Sequence, residues 1–369
     1  MKVGIITMHR VINYGSILQA YALQKKVNQL GYDSEIIDYL YPPKKKISYW
    51  KQAIMYLYRL GVDIFFGGVL RRKKKRFDSF YKNNLVVSPK IYSKQIITEE
   101  PPVYDIYMSG SDQVWNPNYI KDDTSFLLSF VPKGKKRVSY ASSFAINEIP
   151  QEYSLLYKKE LNKYHTISVR ENTGINIVRK LTGCDAQVVC DPTLLLTRKE
   201  WDELANQSEL KIKEKYILVY VLSYMFNPYP EIYNIVDNVQ KELGNIKVIY
   251  LTGKKEDMFR PNSRLIKDAG PNEFVYLFKN ATFVITTSFH GTAFSLIYGK
   301  PVYGVVKSEL TKDGRIPSLL SKVQCEKSII SYKSDIISNC DELLSQKCSE
   351  SLLQQFREES ESLLSNMLK

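Results

Sequence analysis

The order of apolar and polar positions predicts strands and helices that alternate along most of the chain. The first unit consists of an apolar run over residues 3–8, a turn over residues 13–15, a helix over residues 16–24 and a second apolar run over residues 35–39. Ser16 is placed to cap that helix. A strand, a helix and a second strand in this order are typical of a parallel α/β domain.

Later apolar runs of strand length repeat this design, and they cover residues 104–112, 137–144, 166–171, 188–193, 216–222, 247–251, 283–287 and 301–306. Helical spacing covers residues 230–243, 274–279, 291–298 and 349–368. Because the carboxyl ends of parallel strands meet at one edge, we expect the polar residues that end these strands to lie close together. The pattern predicts an α/β fold with two Rossmann-like domains that face each other across a cleft.

The predicted division of the chain is an N-terminal domain over residues 1–205, a C-terminal domain over residues 206–345 and a C-terminal helix over residues 346–369. An aromatic-rich insertion at about residues 47–80 includes the basic run at residues 71–76. A solvated helix face, packed by its aromatic side, is the favoured interpretation of this insertion. A basic element that rests on an anionic membrane surface is the alternative.

Composition narrows the classes of partner and site. Lys and Arg number 52 and Asp and Glu number 39, so the formal net charge is +13 and anionic ligands are favoured. The five cysteines include no C-x-x-C pair, which predicts unpaired thiols in a reducing cytosol rather than a zinc site or a disulfide framework. No apolar run reaches about 18 residues, and the first is too short for a signal peptide. A cytoplasmic location is expected.

Among the three histidines, His290 is the best candidate for chemistry. It follows a predicted strand and precedes Gly291 and Thr292 at a helix N-terminus, where backbone N–H groups and the helix dipole favour an anion. A buried, hydrogen-bonded structural histidine is an equally open interpretation. His9 also follows a strand and is a weaker candidate, and His165 has no flanking feature.

Two strand ends of the first half carry ionisable groups. Arg170 could hold a phosphate or a carboxylate through two hydrogen bonds, although a surface pair with Glu171 is the simpler interpretation. Asp112 could act as a base toward a sugar hydroxyl or only cap the next helix. Trp115, beside Asn116, is suited to stack on a sugar ring or to fill a domain interface.

Several common catalytic signatures are absent from the sequence. It contains no G-x-x-x-x-G-K-[ST], no G-x-G-x-x-G after the first strand, no G-x-S-x-G and no His cluster with metal-ligand spacing. The sequence therefore gives no support to a P-loop kinase, a dinucleotide enzyme, a serine hydrolase or a zinc enzyme.

Five motifs, taken in order, resemble the polysaccharide pyruvyl transferase family over about residues 1–325. They are Asn13-Tyr14-Gly15 with the helix that follows, Ser109-Gly110-Ser111-Asp112-Gln113-Val114-Trp115-Asn116, Ser168-Val169-Arg170-Glu171, Asp191-Pro192-Thr193, and Ser288-Phe289-His290-Gly291-Thr292 followed by Gly299-Lys300-Pro301. Each motif alone is weak, whereas five in one order are specific. The resemblance implies a GT-B-like fold and the transfer of pyruvate from phosphoenolpyruvate onto two hydroxyls of one sugar as a ketal.

The resemblance also implies roles for individual residues. Arg170 would bind phosphoenolpyruvate, and His290 would protonate the methylene carbon of the same ligand. The donor contacts would be Arg170, His290, Gly291, Thr292 and a third cation from among Lys307, Lys312 and Arg315. The acceptor contacts would be Asn13, Tyr14, Gly15, Ser111, Gln113, Trp115 and Asn116, with Asp112 as a second catalytic residue.

The implied partners are phosphoenolpyruvate, as a co-substrate, and a sugar of a cell-envelope or exopolysaccharide precursor. A lipid-linked acceptor and a peripheral contact with the inner face of the cell membrane are both compatible with this function. No metal and no organic cofactor is implied. The alternative is a GT-B type glycosyltransferase that uses a nucleotide sugar, because fold does not fix function. Nucleic-acid binding has no recognised motif here, and a related transfer from another donor stays open.

Overall fold

Two parallel β-sheets of six strands each form the framework of the protein in a computed structural model of the chain. The structure describes residues 1–42, 67–224, 226–308, 314–334 and 348–369, together with residues 50, 54, 55, 57, 61, 63 and 344. Helices cover the sheets and bury cores of aliphatic and aromatic side chains. This arrangement confirms the predicted α/β class.

The first sheet has the strand order β2-β1-β3-β4-β5-β6. Its strands are β1 (Lys2–Ile6), β2 (Asp33–Ile36), β3 (Ile106–Ser109), β4 (Lys136–Ser142), β5 (Thr166–Val169) and β6 (Gln187–Val188). Ile5 of β1 pairs in parallel with Ile36 on one side and Met108 on the other. Because both faces of this sheet are covered, β1 and β3 are almost wholly apolar.

The second sheet has the strand order β12-β11-β10-β7-β8-β9. Its strands are β7 (Tyr216–Tyr220), β8 (Lys247–Leu251), β9 (Ser263–Ile266), β10 (Phe283–Thr286), β11 (Val302–Val306) and β12 (Ile329–Ser331). The sequence pattern does not predict β9 and β12, which lie at the two edges of the sheet. Both are short and partly exposed, so their apolar pattern is weak.

Helices connect the strands, and among the described residues they begin and end as follows. They are α1 (Tyr14–Gln29), α2 (Val69–Asn84), α3 (Lys94–Glu99), α4 (Pro117–Ile120), α5 (Gln151–Leu161), α6 (Asn172–Thr182), α7 (Pro192–Leu195), α8 (Arg198–Ala205), α9 (Ile232–Glu242), α10 (Pro271–Asn280), α11 (Phe289–Ile297), α12 (Arg315–Lys322) and α13 (Glu350–Leu368).

The start of α1 differs from the sequence prediction. The helix begins at Tyr14, and its cap is Asn13, whose side chain accepts a hydrogen bond from the backbone N–H of Ser16 at 3.3 Å. The prediction that Ser16 caps this helix is wrong, because Ser16 lies within the first turn and its hydroxyl donates to Asp112. Asn is among the preferred cap residues, and it sits two positions before the glycine of the motif.

The side chain of Tyr14 joins the two halves of the molecule. It is 2% exposed, and its ring stacks on Phe274 of α10 with centroids 4.8 Å apart. Its hydroxyl donates a hydrogen bond to the carbonyl of Ala269 at 2.9 Å. A buried aromatic ring with a satisfied hydroxyl stabilises such an interface through both apolar burial and directional bonding. The contact fixes α1, which follows β1, against α10 of the second half.

The basic run at residues 71–76 lies in α2 and also bridges the two halves. Arg72 Nε lies 2.7 Å from Asp268 Oδ2, and Arg76 Nη2 lies 2.7 Å from Glu209 Oε2.

The aromatic part of the predicted insertion, residues 47–66, lies mostly outside the described residues, and membrane contact stays a prediction. Within the described part of the chain, no helix combines the length and apolar character needed to cross a membrane.

The C-terminal helix α13 returns to the first half of the chain. Arg357 Nε donates to the carbonyl of Leu194 at 2.6 Å, and the backbone N–H of Cys190 donates to Ser360 Oγ at 2.9 Å. The helix therefore packs beside α7, although it follows the second sheet in sequence. The proposed domain boundaries at residues 205 and 345 stay predictions.

Cys325 and Cys348 form a disulfide, with Cα atoms 5.4 Å apart. The prediction of unpaired thiols is therefore wrong for this pair. The two cysteines are 23 residues apart, a spacing that carries no sequence signal. Close to them, the backbone N–H of Ser349 donates to the carbonyl of Val323 at 3.1 Å. Cys184 and Cys190 are free thiols, and Cys340 lies outside the described residues.

Candidate active site

Polar side chains from both sheets meet at the carboxyl ends of the strands. Asp112 follows β3, Arg170 follows β5 and His290 lies in the first turn of α11, after β10. Arg170 Nη2 lies 3.7 Å from Asp112 Oδ1, and His290 Nε2 lies 3.5 Å from Asp191 Oδ2. Because each parallel sheet directs its strand ends to one edge, the two halves place these groups face to face.

Asp191 connects the ionisable groups of the two halves. Its Oδ2 accepts hydrogen bonds from Arg170 Nη1 at 2.9 Å and Ser111 Oγ at 3.0 Å. Its Oδ1 accepts from the backbone N–H and the hydroxyl of Thr193, at 3.0 and 2.7 Å. Burial by itself would raise the pKa of Asp191, but His290 and Arg170 hold this pKa well below the usual range. Asp191 is therefore a fixed anion that binds Arg170 and lies beside His290.

Arg170 is buried while part of its hydrogen-bonding capacity is unused. It is 5% exposed, and its guanidinium lies 4.7 Å from the centroid of the Phe289 ring. Nε is 3.9 Å from Glu171 Oε2, so this ion pair is buried and is not the surface pair that the sequence suggested. Nε and Nη2 have no hydrogen-bond partner in the described structure. Two unused N–H groups on a buried guanidinium suit a planar anion.

The pKa of Arg170 shows how the neighbouring carboxylates stabilise its charge. Burial would lower the pKa of Arg170, but Asp191, Asp112 and Glu171 raise it above its ordinary value. Arg170 and Asp191 are therefore both charged at neutral pH.

Asp112 occupies a strained backbone position, with φ of 75°. Its side chain accepts a hydrogen bond from Ser16, in the first turn of α1. Burial would raise the pKa of Asp112, but Arg170, His290, the Ser16 hydrogen bond and Arg315 lower it on balance. An ionised carboxylate can accept a hydrogen bond from a sugar hydroxyl, although a low pKa makes it a weak general base.

The imidazole of His290 lies against Gly15 of α1. A Cβ at Gly15 would overlap the ring at Nδ1, so this close approach requires glycine. His290 is 8% exposed, and its Nε2 has no hydrogen-bond partner among the described residues, unlike a satisfied structural histidine. Gly291 N–H and the Thr292 hydroxyl both donate to Ser288, at 3.3 and 3.2 Å, so these two predicted donor contacts also stabilise α11 itself.

Arg315 is the third cation that the described structure brings toward this cluster. It is the first residue of α12, is half-buried, and contributes to the lowered pKa of Asp112. Lys307, the alternative from the sequence, is exposed directly after β11. Lys312, the other alternative, lies outside the described residues.

Trp115 is fully buried behind the strand ends rather than in the cleft. Its Nε1 donates to the carbonyl of Phe126 at 3.2 Å, and its ring packs on Phe144 and Tyr164 with centroid distances of 5.2 and 5.6 Å. A side chain with 0% exposure is not available to stack on a sugar. These partners all belong to the first half of the chain, so Trp115 packs inside that half and does not fill a domain interface.

The other predicted acceptor contacts support the scaffold of the site. Ser111, Gln113 and Asn116 are all buried, and Asn116 Nδ2 donates to Gln113 Oε1 at 3.2 Å. Asn13 caps α1, and Tyr14 fills the interface between the halves. These residues position Asp112, Asp191 and His290 and leave little polar surface for a ligand of their own.

Sequence reasoning missed the bridging role of Asp191 and two exposed aromatic residues. Asp191 belongs to the Asp191-Pro192-Thr193 motif, but the sequence pattern predicts no contact for its side chain. Tyr119 and Tyr224 are 41% and 56% exposed, and Tyr224 is within electrostatic range of Tyr119, Asp112 and Arg315. Exposed aromatic rings at a polar site are suited to stack on a sugar. No local motif marks these tyrosines.

The remaining histidines belong to other parts of the first half. His9 Nε2 lies 3.1 Å from Asp38 Oδ1, and Arg10 binds the same carboxylate. His165 Nδ1 accepts from the backbone N–H of Arg137 at 3.1 Å, at the end of β5 opposite to the charged cluster. Among the described residues, no group of three or more His, Cys, Asp or Glu side chains is arranged to hold a metal ion.

Comparison with protein families identifies the relatives of this chain. The family model described as Polysaccharide pyruvyl transferase matches residues 13–308, which is more than half of the chain. The chain belongs to this family. The polysaccharide pyruvyl transferases are a family of transferases, and the matched range contains Arg170 and His290. The match confirms the family that the sequence motifs predicted. No curated protein sequence matches the chain in a direct comparison.

Solved structures show that this member of the family has a GT-B-like fold. UDP-GlcNAc 2-epimerase of Methanocaldococcus jannaschii, in complex with UDP-GlcNAc and UDP, is 15% identical and has a TM-score of 0.59. The match covers 100% of this chain and 99% of that enzyme, and the coverages below are given in the same order. The Neisseria meningitidis enzyme bound to UDP-GlcNAc is 10% identical, with a TM-score of 0.59 and coverage of 100% and 99%. S. aureus MnaA with UDP is 12% identical, with a TM-score of 0.58 and coverage of 100% and 96%. These likenesses confirm the predicted GT-B-like fold.

Proposed function

We propose that this protein transfers pyruvate from phosphoenolpyruvate to a sugar of a cell-envelope or exopolysaccharide precursor, as a ketal. The observation that best supports this proposal is the set of unused donor positions: Arg170 Nε and Nη2 and His290 Nε2 are buried without hydrogen-bond partners in the described structure. Phosphoenolpyruvate carries a phosphate and a carboxylate, and fixed cations near both are what its binding requires.

The carboxylates around Arg170 outnumber the arginines near them. Asp112, Glu171 and Asp191 lie within 4 Å of the Arg170 guanidinium, and Arg170 and Arg315 offset only two of these three negative charges. A bound anionic donor adds further negative charge. A protonated His290 would supply both the missing positive charge and the proton that the proposed reaction uses.

In the proposed reaction, His290 gives its proton to the methylene carbon of the donor, which becomes the methyl group. The neighbouring carbon becomes electron-poor, and the first sugar hydroxyl forms a C–O bond to it while its proton passes to the imidazole. Phosphate then leaves with the electrons of its C–O bond, a second hydroxyl closes the ketal, and the proton of that hydroxyl leaves with phosphate. No metal and no organic cofactor enters this scheme, which stays a prediction.

The acceptor is proposed to bind beside Asp112, between Tyr119 and Tyr224. Asp112 is 8% exposed and ionised, so it can accept a hydrogen bond from the attacking hydroxyl. The two tyrosines offer partly exposed rings for the faces of a sugar. These residues replace Trp115 as the aromatic contacts of the proposed acceptor site.

Calorimetric titration with phosphoenolpyruvate, UDP and UDP-GlcNAc tests the donor. We expect saturable binding of phosphoenolpyruvate that is about tenfold weaker in Arg170→Lys, because lysine keeps the charge and loses the planar N–H pattern. Arg170→Ala is avoided because it would leave three carboxylates unpaired. Arg179→Lys, at an exposed pair with Asp185, is the matched control. Binding of the nucleotides alone would contradict the proposal and favour a glycosyltransferase.

Phosphate release in the presence of sugars with adjacent free hydroxyls tests the chemistry. His290→Gln should lower turnover by about 10²-fold or more while changing donor affinity less, because loss of a general acid affects the transition state most. Equal turnover in this variant would contradict the assignment of the proton donor even if phosphoenolpyruvate binds.

A further inference from the structure

A large cavity of the described structure lies away from the charged cluster, at the opposite end of α11. It has a volume of about 770 Å³, within the range of small-molecule sites. Its walls include the last turn of α11, the start of α8 and the start of α13. His290 is near the first residue of α11, whereas Ile297 at its end lines the cavity. The separation along the helix axis is about 10 Å.

Four basic side chains line this rear cavity: Arg198, Lys199, Lys300 and Arg357. Glu350 is the acidic residue on the described part of its lining. None of the four cations lies within 4.0 Å of a carboxylate in the part of the chain that the structure describes. By contrast, the basic residues Arg72 and Arg76 of α2 are ion-paired. Among the described residues, the lining therefore carries an excess of positive charge that its neighbours do not neutralise.

Lys300 shows the cost of this excess charge. It is half-buried, and burial together with the neighbouring Arg198 lowers its pKa. Arg198 Nε donates to the carbonyl of Ile297 at 3.2 Å, which holds the guanidinium at the rim of the cavity beside Lys300. A bound anion would stabilise like charges that are held together in a partly desolvated cavity. It would offset both the cost of burying Lys300 and its repulsion from Arg198.

Two helix N-termini add to the positive potential. Thr197 and Ser349 cap α8 and α13, and both residues line the cavity. The partial positive charges of these helix ends favour an anion in the same space as the four side chains.

We propose that the rear cavity binds a small soluble molecule bearing a diphosphate or several phosphoryl groups, at a site separate from the one that binds the donor. Enclosure by three helices and a volume of small-molecule size favour a soluble ligand over an extended anionic surface. The proposal does not depend on the identity of the donor or of the acceptor.

Calorimetric titration of the full chain with inorganic pyrophosphate tests this site. Arg170→Lys weakens the binding of anions in the cleft. In this background we expect pyrophosphate still to bind saturably. Lys300→Met should weaken it severalfold, and Arg198→Gln/Lys300→Met at least about tenfold, whereas the exposed pair Lys213→Met/Lys215→Met should change it less than twofold. Raised salt should weaken binding as well. Circular dichroism checks that each variant is folded.

Two results would overturn the proposal. The first is an equal loss of pyrophosphate affinity in Arg198→Gln/Lys300→Met and in the control Lys213→Met/Lys215→Met. Total charge, and not a specific site, would then account for the binding. The second is Lys300-dependent sedimentation with vesicles of equal parts phosphatidylglycerol and phosphatidylcholine, in the absence of pyrophosphate binding, which would assign the cations to a membrane surface. Absence of phosphoenolpyruvate binding would contradict only the proposed donor.

Discussion

Gly15 of α1 lies directly against the imidazole of His290 in α11, although the two residues are in different halves of the molecule. A side chain at Gly15 would collide with the ring nitrogen Nδ1. The glycine of the Asn-Tyr-Gly motif therefore sets how closely the first helix approaches the proposed proton donor. This relationship links a motif near the N-terminus to chemistry that is carried by the second sheet.

Gly15→Ala should lower turnover by about tenfold or more, because even a displacement of about 1 Å at a catalytic group is costly. At an unobstructed helical position the same substitution would stabilise a protein by about 0.5–1 kcal/mol. An unchanged or reduced melting temperature would therefore show that the added methyl group collides with His290. The melting temperature is measured together with kcat. A raised melting temperature with normal activity would contradict the contact.

Asp191→Asn should reduce kcat by about tenfold to hundredfold while the protein stays folded, because the amide keeps the shape but removes the charge that orients Arg170 and His290. Steady-state kinetics at one fixed pH measure kcat, and circular dichroism checks that the variant is folded. Asp185→Asn, at an exposed ion pair, is the control and should leave kcat unchanged.

Lys73→Met should stabilise the protein near neutral pH. Lys73 is half-buried over Tyr14, and burial lowers its pKa from 10.5 to about 8. A shift of this size corresponds to about 3 kcal/mol, and the cation–π contact offsets part of it, so we expect a gain on the order of 1 kcal/mol. Urea unfolding at pH 7 measures this gain, with the exposed Lys75→Met as the control.

The same lysine gives a pH dependence with a definite sign. Between about pH 8 and 10.5 the unfolded chain holds a proton on Lys73 that the folded protein does not, so stability should rise with pH over this window. The contribution should disappear in Lys73→Met. An equal slope in the variant and the parent protein over this range would contradict the buried position of Lys73.

Reduction of the Cys325–Cys348 disulfide should lower the free energy of unfolding by about 3 kcal/mol, because a loop closed across 23 residues restricts the unfolded chain. Thermal unfolding with and without reductant measures the effect, and Cys184→Ser should leave the difference unchanged. The chain has five cysteines, and two of them form this disulfide, so the denatured, non-reduced protein should contain three free thiols. Five free thiols would contradict the disulfide.

The sequence by itself determined the α/β class and the positions of most strands along the chain. Buried parallel strands are short apolar runs, which the local pattern can detect. It also determined the family, since five motifs retain their order along the chain. The pattern missed the edge strands β9 and β12, whose exposed positions weaken the apolar signal.

Only the tertiary structure decided which polar residues meet. The residues Gly15, Asp112, Arg170, Asp191 and His290 are spread over most of the chain, and the carboxyl ends of two separate sheets bring them into one cluster. Burial likewise decided that Trp115 packs inside and that Tyr119 and Tyr224 stay exposed. Local sequence records residue type and spacing, whereas exposure, charge pairing and the Cys325–Cys348 bond depend on contacts between distant segments.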